Sequence, residues 1–132
     1  GLKNCNPGNI RLSPTKYMGE VTPSRDTAFK QFETMAWGYR AIFVLLDSYR
    51  RGGFRTIRQM ITRYAPPVEN KTDVYIQRMT EWTDLSADKP IDTNNADVMI
   101  PFVSAISLME NGKIAVDSYV RAGRDLFIKH KP

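Results

Sequence analysis

Glu110 closes the most hydrophobic stretch of the chain. Residues 102–109 are apolar or small, and Asn111 and Gly112 follow the acid at once. A helix C-terminus carries partial negative charge, so Lys or Arg suits that position and a glutamate does not. Two readings stand. In one, Gly112 is a C′ glycine and Glu110 simply points to water. In the other, burial and the negative helix end disfavour ionisation, and Glu110 holds a proton that it can deliver as a general acid. The Asn-Gly turn would then leave the acid at a cleft edge, as a glycosidase requires.

The other reactive residue types offer less. One cysteine, Cys5, and one histidine, His130, cannot build a zinc site of the Cys/His type, and one cysteine cannot form an internal disulfide. A Cys5–His130 nucleophilic pair would depend on a histidine in a polar tail. No metal or cofactor is expected. The net charge of +5 favours polyanionic partners: nucleic acid, an anionic membrane surface or an acidic wall polymer. Arg50, Arg51, Arg55, Arg58 and Arg63 form the densest basic group, read as a solvated positive face. No zinc finger or RNA-binding signature accompanies it, so nucleic acid is not the expected partner.

The elements that must hold these residues fit one domain of 132 residues, with 42% hydrophobic and 25% charged residues, ordinary values for a globular chain. No apolar run approaches the roughly 18–20 residues needed to span a bilayer. The opening lacks a signal-peptide hydrophobic region, although Gly1 is compatible with removal of an upstream leader. Residues 1–33 read as a small, irregular β-hairpin lobe: "NPGN" suits a type II turn at Pro7-Gly8, and short pieces follow at 10–12, 17–21 and 28–32. Residues 34–132 read as a helical lobe. Thr34 caps a helix that ends at Gly52-Gly53, with Trp37, Ala41, Val44, Leu45 and Ser48 inward and Arg40 and Asp47 on the other face. Thr56 caps a second helix, stopped by Pro66-Pro67. Asn70 or Thr72 caps a third, which carries Val74, Ile76, Met79 and Trp82. Trp37 and Trp82 read as core. "NNADVMI" forms a short helix or turn, after which Pro101 starts the apolar helix ending at Glu110. That helix, apolar all round, should be central. A last helix covers about 116–129.

The opening "GLKNCNPGNIRL" resembles the R-G-I-R-N-N-N-P-G-N-[IL]-R start of a family of phage and prophage proteins described as virion structural proteins or lysins. The similarity runs on through "FKQFETMAWGYRAIFVLLDSY", "TIRQMITRYAPPVENKTDVYIQRM" and "SAISLMENG", about residues 1–112. Cys5 stands where that family usually has Asn, and Tyr17 where Trp is common. More loosely, "NPGNIR", "FKQF" and "RYAPPVENKTDVY" are similar to blocks of bacterial wall glucosaminidases and lytic transglycosylases of the lysozyme-like fold. In those enzymes the acid-bearing helix comes first, whereas here "AISLMEN" comes late.

The resemblance implies a mainly α, α+β domain in a circularly permuted lysozyme-like arrangement, acting on peptidoglycan glycan strands with Glu110 as its acid. Chain termini of compact domains often lie close together, which makes such a permutation physically cheap. It further implies a place in the β-like lobe for a second carboxylate: Glu20, Asp26 or Glu33. A retaining hydrolase needs it about 5–5.5 Å from the acid and an inverting one about 6.5–9.5 Å; with none, a lytic transglycosylase fits better. Tyr64 or Tyr75 would line the glycan cleft, with Asn70 and Asn111 beside them. Asn9 and Arg11 would contact acyl groups or pin the lobe. Virion or cell-envelope proteins would be the further partners, in the virion or, for a prophage protein, in the bacterial cell. The competing expectations are a non-catalytic virion or surface module that binds glycan or protein, and a nucleic-acid-binding helical domain.

Overall fold

The computed structural model describes residues 1–68 and 70–132. After a 3₁₀ turn at Leu2–Asn4, strands β1 (Glu20–Val21) and β2 (Gln31–Phe32) pair antiparallel, with Glu20 opposite Phe32. An isolated antiparallel bridge between Arg11 and Phe29 extends the lobe. Five helices follow: α1 (Met35–Arg51), α2 (Ile57–Tyr64), α3 (Thr72–Thr83), α4 (Ala96–Asn111) and α5 (Asp117–Lys129). The result is mainly helical with a small two-stranded sheet, the α+β class expected.

The helix starts follow local chemistry. The Thr34 hydroxyl accepts from the Trp37 N–H at 3.2 Å, and Thr56 forms a capping box with Gln59. The third helix departs from expectation. Neither Asn70 nor Thr72 caps it; Lys71 occupies the cap position without a side-chain bond. Thr72 is instead buried and donates its hydroxyl to the Ala65 carbonyl at 2.5 Å. It ties α3 back to the end of α2 rather than serving its own helix.

A second departure concerns Pro101. It does not begin a helix: α4 starts at Ala96, capped by the Asn95 side chain, and runs through the proline. Pro101 lies exposed, one turn beyond the start, so the helix forgoes a single backbone bond where water can reach the orphaned carbonyl. The longer α4 packs against α3, α5 and α1. That accounts for its all-round apolar character, with Phe102, Val103 and Ile106 fully enclosed.

The α1–α5 contact is the most extensive between helices, and Gly123 makes it possible. A Cβ there would stand 2.5 Å from the Tyr39 Cβ and 2.9 Å from the Arg40 backbone nitrogen. Alanine would favour the helix by about 1 kcal/mol, but overpacking against a backbone atom costs up to about 3 kcal/mol. Gly123→Ala is therefore expected to lower stability by about 2 kcal/mol in a chemical unfolding curve. An unchanged midpoint would show that α5 shifts freely.

Two burial expectations are also corrected. Arg40 and Asp47, assigned to the outer face of α1, are buried, whereas Val44 and Leu45 are only half-buried. The amphipathic pattern misleads because α1 is covered on several sides, by α5, α4, β2 and α2. Trp82 is 40% exposed rather than core. Trp37 is half-buried and lies directly against Gly19, whose φ of +78° and lack of a side chain admit the indole.

Candidate active cleft at the exit of helix α4

The site begins with the turn Asn6–Asn9. The Asn9 N–H bonds the Asn6 carbonyl at 3.1 Å. It is not the expected type II turn: Gly8 does not take a positive φ, and Asn9 does, at 49°. Asparagine tolerates that conformation. Gly8 is needed for a different reason. A Cβ there would stand 2.3 Å from the Tyr64 hydroxyl and 2.8 Å from Ile42. The close approach lets Tyr64 donate its hydroxyl to the Gly8 carbonyl.

Asn6 is the anchor beneath this turn. Fully buried, it donates to the carbonyls of Ile10 and Lys30, each at 2.9 Å, and accepts from the Ile10 N–H. Sequence reasoning passed over it, because a lone asparagine beside a turn signals the turn and nothing more.

The turn is held against the end of α4. Asn111 donates to the Pro7 carbonyl at 2.7 Å and to the Ser107 carbonyl at 2.9 Å. Gly112, at φ 67°, ends the helix as expected. Glu110 therefore does not point freely to water. Asn9 donates to its Oε1 at 3.0 Å, and the Tyr75 hydroxyl donates to its Oε2 at 2.9 Å. Asn9 also reaches the Glu110 carbonyl at 3.3 Å. Residues 101 positions apart thus meet on one carboxylate.

Glu110 faces a cleft of about 360 Å³ whose walls include Asn9, Arg11, Tyr49, Arg63, Tyr64 and Asn70. Five of the expected site residues, Asn9, Arg11, Tyr64, Asn70 and Glu110, line this one cavity. Tyr75 and Asn111 stand behind it and hold Glu110 and the turn. Tyr49 and Arg63 were not anticipated. Arg63 lies over the rings of Phe54, at 4.5 Å, and Tyr49, at 5.6 Å. Both had the look of ordinary helix residues, one core and one surface.

The cleft tyrosines are neutral hydroxyls. Burial pushes Tyr49 up to about 12, with Tyr17 adding and Arg63 opposing. Burial, then the Glu110 charge, raises Tyr64 well above the usual tyrosine value. Burial, Tyr64 and Glu110 do the same for Tyr75. All three remain donors throughout the ordinary pH range.

None of the three second-carboxylate candidates lines the cleft. Glu20 is enclosed in an ion pair, 3.1 Å from the Lys30 ammonium. Glu33 is exposed at the end of β2. Asp26 braces the lobe by accepting from the Ala28 and Phe29 N–H groups at 2.8 and 3.0 Å and from Asn4 at 3.3 Å. The Ala28 bond, the Phe29 bond and then Asn4 hold its carboxyl below the usual value of 3.8. Such a group contributes stability that is present above its unfolded value and lost as pH falls through the lower folded one. Asp26→Asn should therefore be less stable than the parent at pH 6, with the difference closing below about pH 4, as read by acid unfolding. A constant difference across that range would remove the role.

The basic group is also largely committed. Arg50 and Arg51 pair with Asp47 at 3.0 and 3.7 Å, and Arg58 pairs with Asp88 at 2.8 Å.

No family model matches the sequence. Over 116 residues the chain is 32% identical to Protein P5 of Pseudoalteromonas phage PM2, an alignment covering 85% of this chain and 71% of the relative. The chain belongs to the P5 family. It is thus of phage type, as the resemblance implied. Among the described residues of this P5-family chain, no helix is long and apolar enough to cross a membrane.

Proposed function

We propose that the Glu110 cleft cuts the glycan strand of peptidoglycan, in a domain that is a circular permutation of the lysozyme-like arrangement. One observation carries the reading. A glutamate at the exit of the central helix stands on a cleft wall with both oxygens aligned by Asn9 and Tyr75, and no other described lining residue is a carboxylate. Membership of a phage family and the net positive charge accord with an anionic wall polymer as substrate.

A single carboxyl group suits the lytic transglycosylase route better than hydrolysis with two. Glu110 as acid gives its proton to the glycosidic oxygen, and the bond from that oxygen to C1 breaks. The carboxylate so formed takes the proton of the same sugar's 6-hydroxyl, whose oxygen bonds to C1. The product is a 1,6-anhydro sugar; Glu110 regains its proton and no water is consumed. Asn9 and Tyr75 donate to the carboxylate in the half of this sequence where it acts as base.

The same two bonds favour a second reading. A carboxylate whose oxygens are both used internally also serves as a tie between lobes, as a non-catalytic virion module would need. Digestion of purified peptidoglycan separates the readings. Soluble fragments with anhydro ends support transglycosylation, and reducing ends indicate hydrolysis. A protein that binds wall and releases nothing is the structural module.

A further inference from the structure

The chain buries two arginines, and their surroundings differ. Arg124 lies between Phe43 and Phe127, at 5.3 and 5.1 Å from the ring centres, and donates to the Thr93 carbonyl at 3.1 Å. Burial lowers it, but Asp47 and then Asp92 oppose that with their charge. Arg40 is equally buried, at 4% exposed. Burial lowers it from the usual arginine value, with no carboxylate opposing. One Nη donates to the His130 carbonyl at 2.5 Å, the guanidinium lies 5.9 Å from the Trp37 ring, and the Nε, like that of Arg124, has no partner; what Arg40 lacks and Arg124 has is a nearby carboxylate. A buried charge without a counter-charge or full hydrogen bonding is costly.

Arg40 is also in the wall of a groove of about 780 Å³ between the β-lobe and the end of α5. Lys16, Arg51, Lys129, His130 and Lys131 line it as well, and no side chain of the described lining is a carboxylate. Two carboxylates lie just outside: Glu20, 3.5 Å from Lys16, and Asp47, 3.7 Å from Arg51. Both are shared with other cations, Lys30 and Arg50, so the groove keeps a positive excess.

We infer that this groove is a phosphate-binding site, in which a phosphate group supplies the counter-charge that Arg40 lacks. A planar guanidinium suits two phosphate oxygens, and lysines at the rim answer the remaining charge. A lone carboxylate would leave most of those cations unanswered. The site is separate from the Glu110 cleft, with which it shares only Leu45, and it stands whether or not the cleft is catalytic. The phosphate can be free or carried on a lipid headgroup.

The test is calorimetric titration of the protein with pyrophosphate, against chloride at equal ionic strength. Saturable binding is expected for the parent. Arg40→Lys keeps the charge but loses the fork, and should weaken binding at least tenfold. Should that variant fold poorly, Lys16→Gln with Lys131→Gln removes two rim charges at exposed positions and should give a comparable loss. Vesicles of phosphatidylglycerol in phosphatidylcholine assign the source. If they displace pyrophosphate, the ligand is a headgroup; if they do not, it is a free phosphate. Absence of binding beyond chloride, or binding that both variants leave intact, overturns the assignment.

Discussion

Glu110→Gln should leave the protein folded and reduce the release of soluble wall fragments by about 10²- to 10⁴-fold, the range expected when a positioned general acid is lost. Glutamine keeps the length and shape of the side chain, and its carbonyl can still accept from Tyr75. It has no proton to transfer. The amide nitrogen that replaces Oε1 cannot accept from Asn9, so a stability loss of about 1–3 kcal/mol is expected alongside. The two effects separate experimentally. Fragment release is measured per folded molecule, and folding by thermal unfolding of the same sample. A variant that solubilises wall like its parent would falsify the acid role and leave Glu110 as a tie between the lobes.

Glu20→Ala is expected to be the most destabilising single change among the lobe carboxylates, by about 3–5 kcal/mol, because it strands a buried cation. The Lys30 side chain is fully enclosed and the Glu20 side chain only 3% exposed. The ammonium lies 3.1 Å from both carboxylate oxygens, donates to the Thr15 carbonyl at 2.7 Å, and sits 5.6 Å from the Tyr17 ring. Without Glu20 it keeps carbonyls and a ring face but no counter-charge. Glu33→Ala, at an exposed position, should change stability by less than about 0.5 kcal/mol. Urea unfolding of the two variants gives the comparison. If Glu20→Ala instead stays stable and loses wall-cleaving activity, Glu20 is the missing second carboxylate and the transglycosylase route falls.

Much of the helical frame was legible because its signals are local. Thr34 and Thr56 announce helices through the bonds of their own hydroxyls, and Gly112 ends one by its φ. Glu110 stood out for a similarly local reason, an acid at the wrong end of a dipole. What escaped was set by tertiary contact. Nothing near Thr72 says that its hydroxyl will cross to Ala65. Pro101 looked like a start because its rule concerns the backbone alone, and α4 tolerates it because the face it weakens is turned to water. Arg40 and Asp47 sat on the polar side of a helical wheel, yet α1 is covered on that side too. Asn9 and Arg11 were marked out by a motif, but only the fold shows that Asn9 grips Glu110. Asn6, which holds the whole turn in place, carries no signal that a surface asparagine would lack.

The meeting of Asn9 with Glu110 has a consequence for how the protein comes into being. A nascent chain emerges from the ribosome N-terminus first, so the Asn6–Asn9 turn exists for the synthesis of 101 further residues before its partner arrives. Until then the cleft lacks a wall and Tyr75 lacks its acceptor. Closing so long a loop is slow relative to forming the helices within it. The cleft is therefore the last part of the described fold to be completed, after nearly the whole described chain is in place.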